Sequence, residues 1–161
     1  NETLPKTLAK FSLENRPKVV HQCGRTAVDA VKALYAELGV EAEVVPFIDD
    51  MASAYAKADL VICRAGATSV SELTAAGVPA VLVPFVVSTT QDQLGNARFM
   101  QSHDAGILIE QKDLTPERLY ETMTGLDRTR LVEMGENARR LAHRDAAKTV
   151  ADAIESLVKE R

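Results

Sequence analysis

The 161-residue sequence holds only two cysteines, Cys23 and Cys63, each in or beside an apolar run. Such a pair offers neither a zinc-ligand spacing nor a disulfide framework. Both are read as core thiols, which fits a reducing cytoplasm. No apolar run approaches the roughly 20 residues of a membrane-spanning helix. The opening stretch, NETLPKTLAKF, lacks a basic region followed by an apolar block, so no secretory leader is read there. Neither sign of charge dominates: 19 Lys and Arg stand against 23 Asp and Glu, a net charge of −4. Up to residue 80 there are 8 basic and 10 acidic residues, and after it 11 and 13. With no basic tail, nothing points to nucleic acid. The Arg139, Arg140, Arg144 and Lys148 group is mixed with acids and reads as a solvated helix face. Internal repeats and low-complexity tracts are absent.

Catalytic groupings are missing too. His21 reads as a strand histidine, and His103 and His143 as solvated ones. No Ser/His/Asp or Cys/His set falls at loop positions, and no metal-ligand spacing occurs. No general base is evident, so no residue is assigned a catalytic role and the metal set is empty. What is present is ordinary for a globular chain: 46% hydrophobic and 26% charged residues, enough for one domain around one core.

Short β-rich runs alternate with helical patterns, the signature of a parallel sheet with crossover helices. Leu4, Leu8 and Phe11 recur at helical spacing, so the sequence opens on a helix, which suggests a preceding strand. Strands are expected at Lys18–Cys23, Ala42–Phe47, Leu60–Cys63, Pro79–Pro84 and Gly106–Ile109. The second should end its ladder at Pro46, which has no N–H. The second, third and fourth are nearly all apolar, as in strands buried on both faces. Helices are expected between them: Ala27, Val31, Leu34 and Leu38 on one face closing at Gly39, then Met51–Ala58 capped by Asp49 or Asp50. Ser69–Ala76 closing at Gly77 and Gln91–His103 follow, with Pro116–Gly125, Arg128–His143 and Ala146–Lys159 beyond the fifth strand. The fold class is therefore α/β, a Rossmann-like parallel sheet with helices on both faces.

Open α/β sheets bind ligands at the carboxyl ends of their strands. Three loops stand out. Cys63-Arg-Ala-Gly-Ala-Thr-Ser-Val-Ser-Glu72 runs from strand through a glycine turn to a helix start. The N–H groups of Ala67, Thr68 and Ser69 could face a phosphate there, with Arg64 balancing its charge. The plainer alternative is a capping box, Ser69-x-x-Glu72. Phe85 to Asn96 is long and polar; Gln91, Asp92, Gln93 and Asn96 suit sugar hydroxyls, or Thr90 or Asp92 is simply a helix cap. Phe47 and Ile48 could hold a flat base read by main-chain groups, or make a hydrophobic contact beneath the loop.

The ordered set Phe47-Ile-Asp-Asp-Met-Ala-x-Ala-Tyr-Ala-x-Ala-Asp59, Val61-Ile-Cys-Arg-Ala-Gly-Ala-x-x-Val-Ser-Glu72, Ala75-Ala-Gly-x-Pro79 and Val83-Pro-Phe85 resembles the C-terminal half of the MurG family. The likeness continues through Asn96-Ala97 and Ala105-Gly106 and covers essentially the whole sequence. Members of that family are the UDP-N-acetylglucosamine transferases of peptidoglycan synthesis. The resemblance implies one half of a two-domain GT-B glycosyltransferase, residues 1–161 being a single donor-binding domain. Phe47 and Ile48 would read the uracil, and Glu72 the ribose hydroxyls. Gly66, Ala67, Thr68 and Ser69 would face the diphosphate, and Asp92 and Gln93 the N-acetylglucosamine. Gln22 and Gly24 match a Gln-x-Gly segment near the nucleotide. Asp92 departs from the family pattern, whereas Gln93 keeps register with Asn96.

The same resemblance implies UDP-N-acetylglucosamine as donor, no required cofactor, and a lipid-linked muramyl pentapeptide acceptor held by a preceding domain. The family's glycine-rich Gly-Gly-Ser-x-Gly-Ala loop would fall before Asn1. The whole protein would lie on the cytoplasmic face of the bacterial inner membrane, with this chain soluble and inactive alone. Val150, Ile154, Leu157 and Val158 form one stripe of the last helix, expected to be exposed, displaced or engaged in a crystal or dimer contact. Related GT-B enzymes, such as a lipid galactosyltransferase or a UDP-sugar epimerase, and a non-catalytic nucleotide-binding module remain as alternatives.

Overall fold

In the computed structural model, residues 1–85 and 92–159 are described. Five short parallel strands alternate with helices: α1 (Thr3–Leu8), β1 (Val20–Gln22), α2 (Val28–Glu37), β2 (Glu43–Val45), α3 (Met51–Lys57), β3 (Val61–Cys63), α4 (Ala67–Ala76), β4 (Ala80–Leu82), α5 (Asp92–Ser102) and β5 (Gly106–Leu108). A 3₁₀ turn (Gln111–Asp113) and α6 (Pro116–Thr124), α7 (Arg128–Arg140) and α8 (Ala146–Lys159) complete the chain. Each parallel pair is joined through a helix, as parallel pairing demands.

The ladder is divided. β1 pairs with β2, and β3, β4 and β5 pair in that order. The expected single sheet is thus two hydrogen-bonded groups, and every strand is only three residues long. Only β4 is buried throughout, because it is the central strand of its group; β2 and β3 are edge strands and only partly covered. Pairing puts Gln22 beside Val45, and Cys63 beside Leu82 beside Leu108. Within each group the strands therefore end level, and their following loops open at one edge.

Strand alternation sorts the core. Ala80 and Leu82 of β4 join Leu73, Ala97, Met100 and Ala138 on one face, from α4, α5 and α7. Val81 points the other way, to Ile109 and Leu119, with Leu4 and Met123 against them. Leu4 and Met123 also border the cluster of Leu8, Val31, Tyr35, Val40 and Val44 under α2, and so link the two groups of strands. Leu34 and Leu38 are only partly buried, and Tyr35 takes the central place expected of them. Phe11 lies beyond the end of α1 but packs edge-on against Tyr120, 4.7 Å between ring centres.

Helix ends follow local chemistry. Asp50 is the cap of α3, accepting from the Ser53 N–H at 3.0 Å. Thr115 and Asp127 cap α6 and α7, and Pro116 fills the first position of α6, where no N–H is needed. Gly77 closes α4 with φ +73. Arg139 and Arg144 donate to the carbonyls of Ala76 and Ala75, so these two arginines close α4 rather than form a merely solvated face. α8 is different. Val150, Ile154, Leu157 and Val158 are 57–69% exposed, as their stripe led one to expect. Among the described residues no helix is long and apolar enough to cross a membrane.

Candidate functional site

Helix α4 opens at Ala67, two residues earlier than the spacing predicted, with Gly66 at the cap. The capping box is therefore not formed. Ser69 already lies inside the helix, and no side chain caps its start. The first bond within the helix runs from the Val70 N–H to the Gly66 carbonyl, 3.0 Å. The N–H groups of Ala67, Thr68 and Ser69 are thus the ones that an α-helix leaves without internal partners. They carry the positive end of the helix dipole.

Glu72 has another partner. Its Oε2 accepts from the Tyr55 hydroxyl of α3 at 3.0 Å. Glu72 stands one turn beyond Thr68 and Ser69, on their face of the helix. Burial and this bond raise the Tyr55 hydroxyl well above the usual phenol range. At the end of β3, burial pushes the Cys63 thiol up to about 11, with a smaller contribution from the Glu72 charge. Cys63 and Cys23 are free and only half-buried, because each lies at the open end of a strand rather than deep in the core.

The glutamines act as loop staples. Gln22 Oε1 accepts from the Ile48 N–H at 2.9 Å, tying β1 to the loop after β2. A base that reads this N–H must displace that amide oxygen. Gln93 Oε1 accepts from the Phe85 N–H at 2.9 Å, which leaves Nε2 as the group able to donate to a sugar. Asn96 Nδ2 donates to the Ala65 carbonyl at 2.9 Å and so holds α5 against the phosphate-loop candidate. Arg64 Nη1 donates to the Val83 carbonyl at 3.2 Å, and its guanidinium lies 5.6 Å from the Phe85 ring centre.

Phe47 is 59% exposed, beside a partly exposed Ile48. Gly24 follows β1 with φ +86, a backbone that glycine adopts most easily. Asp92 is exposed in the first turn of α5. Thr90 and Gln91 lie outside the described residues. The structure thus places Gln22 at the end of β1, and Gly24, Phe47 and Ile48 in the loops after β1 and β2. It places Arg64, Gly66, Ala67, Thr68, Ser69, Glu72, Asp92 and Gln93 after β3 and β4. The sequence assigns Tyr55 no task beyond its place in the Phe47–Asp59 motif. A tyrosine there, rather than a phenylalanine, was the available signal of a polar task. Among the described residues no cluster of three His, Cys, Asp or Glu could hold a metal ion.

Residues 1–155 match the model of the glycosyltransferase family 28 C-terminal domain. The chain belongs to that family. The resemblance read from the motifs is borne out among named relatives. A protein of Azoarcus sp. (strain BH72) is 50% identical over the whole chain, and one of Thiobacillus denitrificans is 52% identical over 99% of it. Both are named UDP-N-acetylglucosamine--N-acetylmuramyl-(pentapeptide) pyrophosphoryl-undecaprenol N-acetylglucosamine transferase. This family 28 domain spans 45% and 43% of those two relatives. Among solved structures, Acinetobacter baumannii MurG covers 96% of the chain with a TM-score of 0.88 at 40% identity, the chain spanning 47% of it. The glycotransferase of kitacinnamycin covers 96% at a TM-score of 0.70 and 26% identity, the chain spanning 38% of it. The α/β fold is thus that of GT-B glycosyltransferases.

Proposed function

We propose that this chain is the donor-binding half of an enzyme that moves N-acetylglucosamine from UDP to a lipid-linked muramyl pentapeptide. The observation that carries the proposal is the uncapped start of α4 beside Glu72. Three N–H groups and a helix dipole suit a diphosphate, and a carboxylate one turn on suits a vicinal diol. Phe47 and Ile48 hold the uracil, and Arg64 adds charge near the phosphates. Gln93, with Asp92 beside it, faces the sugar. Gln22 and Gly24 shape the loop under the nucleotide.

In this reading the reaction is an inverting displacement. The leaving UDP is stabilised here by fixed dipoles aimed at the developing charge, with no protein-bound metal or other cofactor required. The base that takes the acceptor proton belongs to the rest of the longer protein, as does attachment to the cytoplasmic face of the membrane. Asn1 lies beside the end of β1, its Nδ2 donating to the Cys23 carbonyl at 3.2 Å. The exposed stripe of α8 is assigned to contact with the same longer protein.

The test is sugar transfer by the full-length protein and by this chain alone. UDP-N-acetylglucosamine should support transfer by the full-length protein, UDP-galactose should not, and the isolated chain should give none. Equal use of both sugars would overturn the donor assignment, and transfer by the isolated chain would overturn the division of labour.

A further inference from the structure

The bond between Tyr55 and Glu72 ties α3 to α4 through an exposed carboxylate. A buried tyrosine hydroxyl needs an acceptor, but it does not need a carboxylate from another helix. Tyr55 is only 8% exposed, its ring packed in the cluster of Leu73, Ala80 and Leu82. Its hydroxyl emerges from that cluster to reach Glu72 Oε2 at 3.0 Å, across 17 residues of sequence. Glu72 itself is exposed on α4. An exposed glutamate explores many rotamers, and binding a ligand through it must first freeze them. A rigid donor on one oxygen does that in advance.

We propose that Tyr55 is a positioning residue that fixes the Glu72 carboxylate for a ribose diol, leaving Oε1 to accept from its hydroxyls. This inference rests on the proposed donor site. Tyr55 touches no ligand in this account and acts through Glu72. It thereby contributes to the choice of a ribonucleotide over one that lacks the hydroxyls. The ionic state agrees with the role: the tyrosine stays a donor at every physiological pH, since burial and the glutamate both oppose its ionisation.

The experiment measures calorimetric affinities of the full-length protein for UDP and for 2′,3′-dideoxy-UDP. Wild type, Tyr55→Phe, Glu72→Ala and the double variant are compared, with thermal unfolding to confirm that each folds. Tyr55→Phe keeps the ring in the core and removes only the hydroxyl. It should reduce the preference for UDP by about three- to ten-fold, the worth of one hydrogen bond. Affinity for the dideoxy nucleotide should stay unchanged. In the Glu72→Ala background the Tyr55→Phe change should have no further effect on the preference.

Equal weakening of both nucleotides by Tyr55→Phe, or no change in preference while Glu72→Ala abolishes it, would overturn the positioning role and leave the donor site standing. A preference untouched by Glu72→Ala, or no UDP binding by the folded protein, would overturn the donor site and this inference together.

Discussion

Replacing Gly66 with alanine separates what the fold needs at the start of α4 from what a ligand needs. Gly66 has φ −62 and ψ 150, a backbone that any residue adopts. A Cβ there would meet only Ser69 Oγ, at 3.9 Å, an ordinary contact. Alanine restricts the unfolded chain, which stabilises the fold by about 0.4–1 kcal/mol. It is a poorer helix cap than glycine, by several tenths of a kcal/mol or more. The two nearly cancel, so stability should shift by less than about 1 kcal/mol, or roughly 2–4 °C in Tm.

Binding should respond far more strongly. The added methyl stands at the cap of α4, 3.9 Å from Ser69 Oγ, and would crowd a phosphate oxygen drawn to the first N–H groups of the helix. Losing one hydrogen bond to a charged group costs about 1.5–3 kcal/mol, or roughly ten- to a hundred-fold in affinity. The assay is calorimetric titration of wild type and Gly66→Ala with UDP and with uridine, beside thermal unfolding. UDP should weaken by that factor, while uridine, which has no phosphate, keeps its affinity. Unchanged UDP affinity in a folded variant would refute the diphosphate assignment. Equal losses for both ligands would show that Gly66 shapes the pocket rather than the phosphate contact.

Two further predictions concern parts of the fold away from the α4 start. Gly77→Ala forces alanine into φ +73 and sets a Cβ 2.6 Å from Arg139 Nε; it should cost about 1–2 kcal/mol, read as a lower Tm, with UDP affinity unchanged because Gly77 lies at the other end of α4. His21 is held below its ordinary value of 6.5 by burial. The unfolded chain therefore takes up a proton that the folded one resists. Stability should be full above pH 6.5 and fall as the pH drops below it, until the folded histidine protonates as well. Denaturant titrations should show that slope in wild type and not in His21→Gln.

The order and type of the elements were legible because apolar runs bounded by Gly, Pro and Asp encode them directly. Gly39 and Gly77 both stop helices with positive φ, as expected. The strand ends were less legible. Lys18–Cys23 shrinks to Val20–Gln22 because pairing depends on the neighbour strand and not on propensity. The loop after β3 stands out in the sequence, and of its two alternatives the capping box is the one that fails. Ser69 and Glu72 have capping-box spacing, yet the helix begins two residues earlier and Glu72 is drawn to Tyr55. No pattern within one helix can reveal a partner on another. The same holds for Gln22 and Gln93, whose bonds to Ile48 and Phe85 cross loops that only tertiary folding brings together.

The most direct measurement is a map of backbone amide shifts as UDP is titrated into this chain. The largest changes should fall at Ala67, Thr68 and Ser69, with a second group at Ile48 as Gln22 releases its N–H. Shifts centred instead on the concavity of Asp59, Gly77, Arg128 and Arg139 at the far end of α4 would contradict a nucleotide site at the helix start.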